Sequence, residues 1–148
     1  MPRLHYLPAC EDDFEALLAL RIAAMRPSLE ALGRYDPERA RARFRQSFVP
    51  ACTHHILLDN RTIGFYAVKP EGDGLLLDHL YLHPAQQGRS LGSEVLQRIF
   101  AEADRLGLPL RVGALRGSTA NHFYQRHGFV QVDEAEWDIY YRRLPTRR

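Results

Sequence analysis

The residues in this chain best suited to chemistry lie in one short run, Gln87-Gly88-Arg89-Ser90-Leu91-Gly92. An apolar segment ending Leu80-Tyr81-Leu82-His83-Pro84 leads into it, and an amphipathic stretch beginning at Ser93 leaves it. A strand that feeds a small-residue turn and opens a helix is suited to holding phosphate. The turn frees backbone N–H groups, and the helix N-terminus adds its positive dipole end. Gly88 and Gly92 let the main chain approach a ligand with no side chain between them. The chemistry expected is a grip on the diphosphate of a nucleotide-like cofactor.

Several elements must position this turn, and composition limits what they are. The chain has 148 residues, a size expected of one domain spanning 1–148 that needs no staples. A net charge of +2 is too near neutral to argue for nucleic acid. The arginine run Arg39, Arg41, Arg43, Arg45 reads as a solvated helix face, and no nucleic-acid partner is expected. Cys10 and Cys52 have no metal spacing and read as buried free thiols of a reducing compartment. No group of histidines has ligand spacing, so no metal is expected. Neither a leader nor a bilayer-length apolar run is visible, and a cytoplasmic protein without membrane contact is the expectation.

Periodicity and punctuation order the chain as β-α-α-β-β-β-α-β-α-β-β. Arg3 to Leu7 opens as a strand. Phe14, Leu17, Leu18, Ile22 and Met25 mark a helix that Pro27 ends or kinks, with a short helical or irregular stretch over Ser28 to Gly33. Asp36-Pro37 reads as an N-cap and first helical residue of the next helix. Asp59-Asn60 joins two strands as a hairpin turn. Leu75 to Leu82, the most apolar strand, is expected at the centre. Gly107 closes the long helix that follows the phosphate turn, and Gly128 stops a short one over Thr119 to His127. Two more strands follow, and the tail Pro145 to Arg148 is expected to fray. A meander followed by a β-α-β crossover gives an α/β (α+β) fold. Its sheet is mixed and mostly antiparallel, with helices on both faces.

Two blocks resemble the GCN5-related N-acetyltransferase (GNAT) superfamily. The first is Gln87-Gly88-Arg89-Ser90-Leu91-Gly92, against a family pattern Arg/Gln-x-x-Gly-x-Gly/Ala. The second is Ala120-Asn121-His122-Phe123-Tyr124-Gln125-Arg126-His127-Gly128-Phe129, which carries an Asn upstream of a Tyr and a closing Gly-Phe. Leu80-Tyr81-Leu82-His83-Pro84 and Gly64-Phe65 are similar to family segments too. The resemblance covers residues 50 to 143 by motif and the first third by element order. Two positions depart from the pattern. Ser90 stands where the first glycine is usual, which a helical backbone there would tolerate. Gly117 stands where an asparagine seven residues before the tyrosine is usual, and Asn121 is expected to take over that cofactor contact.

The resemblance implies an acyl-CoA N-acyltransferase fold that moves an acetyl group from acetyl-CoA to a primary amine by direct attack in a ternary complex. The acceptor is a small molecule or a peptide. The alternative is a regulatory module that binds acyl-CoA without transferring it. Transfer needs a neutral amine, an oxyanion donor and a proton for the leaving thiolate. Asp78 is the leading base, since it shares a strand face with Leu80 and Leu82; the competing reading is a structural carboxylate paired with an arginine. His79 has the opposite parity and is expected in the core or facing a helix. Backbone groups around Leu80, Tyr81 and Leu82 are the implied oxyanion and pantetheine partners, left open by a splay between this strand and the next. Gln87, Gly88, Arg89, Ser90, Leu91, Gly92 and Ser93 are implied to hold the pyrophosphate, and Tyr124 is implied as the general acid. His122 and His127 read as surface residues. The acceptor is expected between Arg26–Tyr35 and the strand carrying Phe65 and Tyr66, with Trp137 and Tyr140 closing one side. A second copy of the chain, as a homodimer, is a further candidate partner.

Overall fold

The computed structural model describes residues 4–88 and 90–146. Its elements follow the expected order: β1 (Leu4–Pro8), α1 (Phe14–Ala31), α2 (Pro37–Ser47), β2 (Thr53–Leu58), β3 (Arg61–Glu71), β4 (Gly74–Leu82), α3 (Leu91–Leu106), β5 (Leu110–Leu115), α4 (Ala120–Arg126), β6 (Val130–Glu134) and β7 (Asp138–Arg143). The seven strands form one sheet in the order β1-β2-β3-β4-β5-β7-β6, which puts β4 at the centre. β4 and β5 pair in parallel, while β1/β2, β2/β3, β5/β7 and β6/β7 pair antiparallel. Asp59 and Asn60 both take left-handed backbone angles (φ 52° and 65°), as a two-residue hairpin turn demands.

The residues divide into two compact units. One comprises the chain before Val68 together with His79–Leu91; the other comprises Val68–Asp78 together with the chain from Gly92 onward. In the first unit Phe14, Leu17 and Leu18 of α1 pack with Phe44, Phe48 and Phe65 in a buried aromatic cluster. Phe14 and Phe44 stack with centroids 5.3 Å apart. Asp36 caps α2 by accepting from the N–H groups of Glu38 and Arg39, and Pro37 follows at the first helical position. Arg41 reaches Glu15 at 2.5 Å and Arg45 pairs with Glu11, so half of the arginine run docks α2 onto the start of α1. Arg39 and Arg43 are exposed.

Two expectations need correction, and one is narrowed. Of the two outcomes expected at Pro27, an end is excluded: α1 runs on through it to Ala31. Proline removes one helical hydrogen bond, and the turns beside it hold: Arg26 pairs with Glu30 across it, and Arg34 N–H bonds Leu29 O beyond it. Both cysteines are free, but Cys10 is exposed and Cys52 half-buried. The tail is tied down as far as Thr146. Its N–H and hydroxyl both donate to Asp104; Arg147 and Arg148 lie outside the described residues.

That tie belongs to the second unit, whose core holds Val95, Leu96, Ile99, Phe100 and Ala103 of α3 with Leu110 and Val112 of β5. Arg143 of β7 lies 4.0 Å over the Phe100 ring. It also grips both oxygens of Asp104, at 2.9 and 3.1 Å. The Arg143 guanidinium, helped by Thr146, holds the Asp104 carboxyl well below the usual carboxylate range. A carboxyl whose folded value is depressed adds stability above its unfolded value of about 3.9, and that stability drains away as pH falls toward the folded value. Asp104→Asn should therefore cost roughly 1–3 kcal/mol at neutral pH, a drop of a few degrees in thermal midpoint. The gap from wild type should narrow steadily in melts taken below pH 4.

Candidate active site

The end of β4 is clamped on one side. Gly64 of β3 lies so close beneath it that an added Cβ would sit 2.1 Å from Tyr81 O and 3.1 Å from Leu82 Cα. His83 N–H donates to Ile63 O at 2.7 Å. On its other side β4 lets go early. The ladder with β5 runs from Leu75↔Leu110 to Leu77↔Val112, and β4 continues five residues past it as a strand. Leu80, Tyr81 and Leu82 lie on that extension, each half-buried.

The turn begins where β4 ends. Gln87 Nε2 donates to Leu82 O at 3.1 Å, folding the turn back on the strand. Gly88 has φ 78° and Ser90 φ 62°. The tolerance expected of Ser90 does not hold: its backbone is left-handed, not helical. A serine there is strained where the usual glycine is not. Leu91 is buried, at 1% exposed. Arg89 lies outside the described residues. Gly92 and Ser93 form the first turn of α3.

Within the second unit, Asp78 accepts from Lys69 Nζ at 2.6 Å across β3 and β4, both side chains about a quarter exposed. The partner of Asp78 is thus the sole lysine of the sequence. Ser93 Oγ lies 2.9 Å from His127 Nε2. Burial, and then the Arg126 charge, lower the His127 pKa from its ordinary value; the expected surface residue is half-buried and bonded. Tyr124 is buried on α4, against Phe129 and Tyr141. Asn121 donates through Nδ2 to Leu115 O and Ser118 O and accepts from Tyr141 Oη at 2.7 Å. The residue expected to reach the cofactor thus has both amide hydrogens engaged inside its own unit.

His79 is 5% exposed, as parity requires, with Ser47 Oγ 3.0 Å from its Nε2 and the Phe44 ring against it. The expected acceptor wall fares differently. Phe65 is fully buried in the aromatic cluster, and Tyr66 is buried beneath a stacked His54, so Phe65 offers no surface to a substrate. Trp137 and Tyr140 are half-buried. Sequence reasoning missed Arg21, which lies 5.9 Å over the Tyr81 ring. Its spacing of four from Leu17 and three from Leu18 was the available signal. Lys69 and His127 left no such trace. Among the described residues no cluster of His, Cys, Asp or Glu is placed to hold a metal, and no helix is long and apolar enough to cross a membrane.

The first unit offers the end of β4 and a glycine-bearing turn, and the second offers a carboxylate and a buried phenol. An acetyltransferase (GNAT) domain family matches residues 50–131. None of the curated proteins matches the sequence. Among solved structures, the chain is similar to a PaiA N-acetyltransferase from Thermoplasma acidophilum in complex with coenzyme A. The identity is 18% and the TM-score 0.78, over 96% of this chain and 99% of that one. An acetyltransferase from Thermus thermophilus is 24% identical with TM-score 0.73, over 95% and 96%. The ribosomal-protein-S18-alanine N-acetyltransferase of Escherichia coli is 14% identical with TM-score 0.72, over 100% and 96%. The fold is common to all three.

The clamp at Gly64 is testable directly. A methyl group there must push Tyr81 and Leu82 off β3, so Gly64→Ala should destabilise by about 1–3 kcal/mol or more. A denaturant melt reads this as a lower midpoint with little change in slope.

Proposed function

The chain belongs to the GNAT acetyltransferase family and is an acyltransferase, and from that premise we propose that residues 1–148 act as one domain that acetylates a primary amine by direct attack. Acetyl-CoA, the donor, brings an acetyl group already activated as a thioester. The observation that carries the reading is the strand extension: β4 outruns its β5 partner by five residues and leads straight into the turn at the head of α3. Along the edge that β5 leaves, a ligand's amide groups can take the place of a neighbouring strand.

The residues present fit that donor. Main-chain groups of Leu80, Tyr81 and Leu82 bind the pantetheine arm and polarise the thioester carbonyl. Gly64, which admits no side chain beneath Tyr81 and Leu82, keeps those groups in place. Gln87, Gly88, Arg89, Ser90, Leu91, Gly92 and Ser93 hold the diphosphate, chiefly through N–H groups. The Ser93 hydroxyl is oriented by His127. Asp78 takes the proton of the attacking amine, directly or through water, and Lys69 fixes its orientation. Tyr124 returns a proton to the departing thiolate. Asn121 acts at one remove: by tying α4 to Leu115 of β5 and Tyr141 of β7, it sets the position of Tyr124. The acceptor is a small-molecule or peptide amine. A cytoplasmic setting and a homodimer complete the reading.

Purified protein, acetyl-CoA and an amine panel test this, with free thiol release as the signal. Acetylated amine is the expected product; coenzyme A binding with no transfer to any amine would favour the binding-module alternative. Tyr124→Phe should lower kcat by about 100-fold, the scale of lost general-acid assistance, and leave the thermal midpoint within a degree or two. Unchanged turnover removes Tyr124 from the mechanism. Gly92→Glu places bulk and negative charge at the head of α3, so calorimetry should show at least about tenfold weaker coenzyme A binding.

A further inference from the structure

Helix α1 presents a buried stripe of Phe14, Leu17 and Leu18, and the next position on that stripe is an arginine, Arg21. Its Nε is buried with no hydrogen-bond partner. Its guanidinium lies over the Tyr81 ring at 5.9 Å, near the outer limit of a cation–π contact. Among the described residues no carboxylate pairs with it. Its neighbours on the two helices differ: Arg26 pairs with Glu30, Arg41 with Glu15 and Arg45 with Glu11. Those three side chains are about half exposed, where an ion pair matters least. Arg21, half-buried on the core stripe, is where a missing counter-ion matters most.

Tyr81 is also the β4 residue between Leu80 and Leu82, and with Phe65 sealed in the core, Arg21 and Tyr81 are half-buried rather than closed off. We propose that Arg21 is a specificity-determining residue that binds a carboxylate of the acceptor, so that the amine acetylated belongs to an amino acid or short peptide with a free carboxylate. This rests on the amine-acetylating reading above. A planar five-donor fork with no carboxylate to pair with among the described residues suits a substrate carboxylate better than a neutral amide.

The experiment compares matched acceptors that differ only in the anion: phenylalanine, β-alanine and glycylglycine, each against its carboxamide. Wild-type protein should favour the carboxylate members at least tenfold in kcat/KM. Arg21→Gln should bring that ratio close to one, and Arg21→Lys should restore part of it. The ratio is internal to each variant and does not move with the folded fraction. Coenzyme A affinity by calorimetry should stay within twofold in both variants. Amines acetylated with no carboxylate preference, or a preference that survives in Arg21→Gln, would overturn the assignment and leave amine acetylation standing. A tenfold loss of coenzyme A affinity in Arg21→Gln would also overturn it, since Arg21 would then serve an anion of the cofactor. Transfer to no amine, charged or neutral, overturns the acetylation reading and this one with it.

Discussion

The structure depends on a strand whose last five residues run beyond one of its two ladders. β4 is central in the sheet, yet its last five residues run past β5 while Gly64 and Ile63 grip the opposite edge. Interior strands ordinarily exhaust their peptide groups in two ladders. A strand that gives up one ladder must be fixed from the other side. Gly64 makes this possible, because β3 approaches to a distance at which no other residue fits. The turn over Gln87–Ser90 starts from this fixed end, so its place in the fold follows from the same contact.

Charge placement separates scaffold from function in the same way. The arginines of α2 that meet α1 do so through exposed pairs with Glu11 and Glu15. Such pairs hold helices in register and contribute little to stability. More enclosed pairs occupy different ground: Asp104 with Arg143 ties β7 and the chain end to α3, and Asp78 with Lys69 spans the two central strands. Arg21 belongs to neither class.

Much of the fold was legible in the residues, because its punctuation is local. Asp36-Pro37, Asp59-Asn60, Gly107 and Gly128 each act within one turn, and each falls at an element boundary. The alternation along β4 was equally readable, which is why His79 lies inside and Asp78 on the other face. Pro27 left two outcomes open, because whether a helix survives one lost bond is decided by its neighbouring turns. The pairings in the site are a different matter. Lys69 lies nine positions from Asp78, Tyr141 twenty from Asn121, and His127 thirty-four from Ser93. No periodic pattern reaches across such intervals. Asp78 could be read as either a base or a paired carboxylate, but its lysine could not be named.

Ser90 closes the matter of where the turn's shape comes from. An L-residue held in a left-handed conformation resists it by itself, at a cost of about 1–2 kcal/mol. Excised as a short peptide, Gln87 to Ser93 would relax to something else. Its contour is imposed from outside, by the anchored strand before it and the packed helix after it. The motif is therefore not a portable cassette: grafted onto a looser scaffold, the same seven letters would spell a different loop.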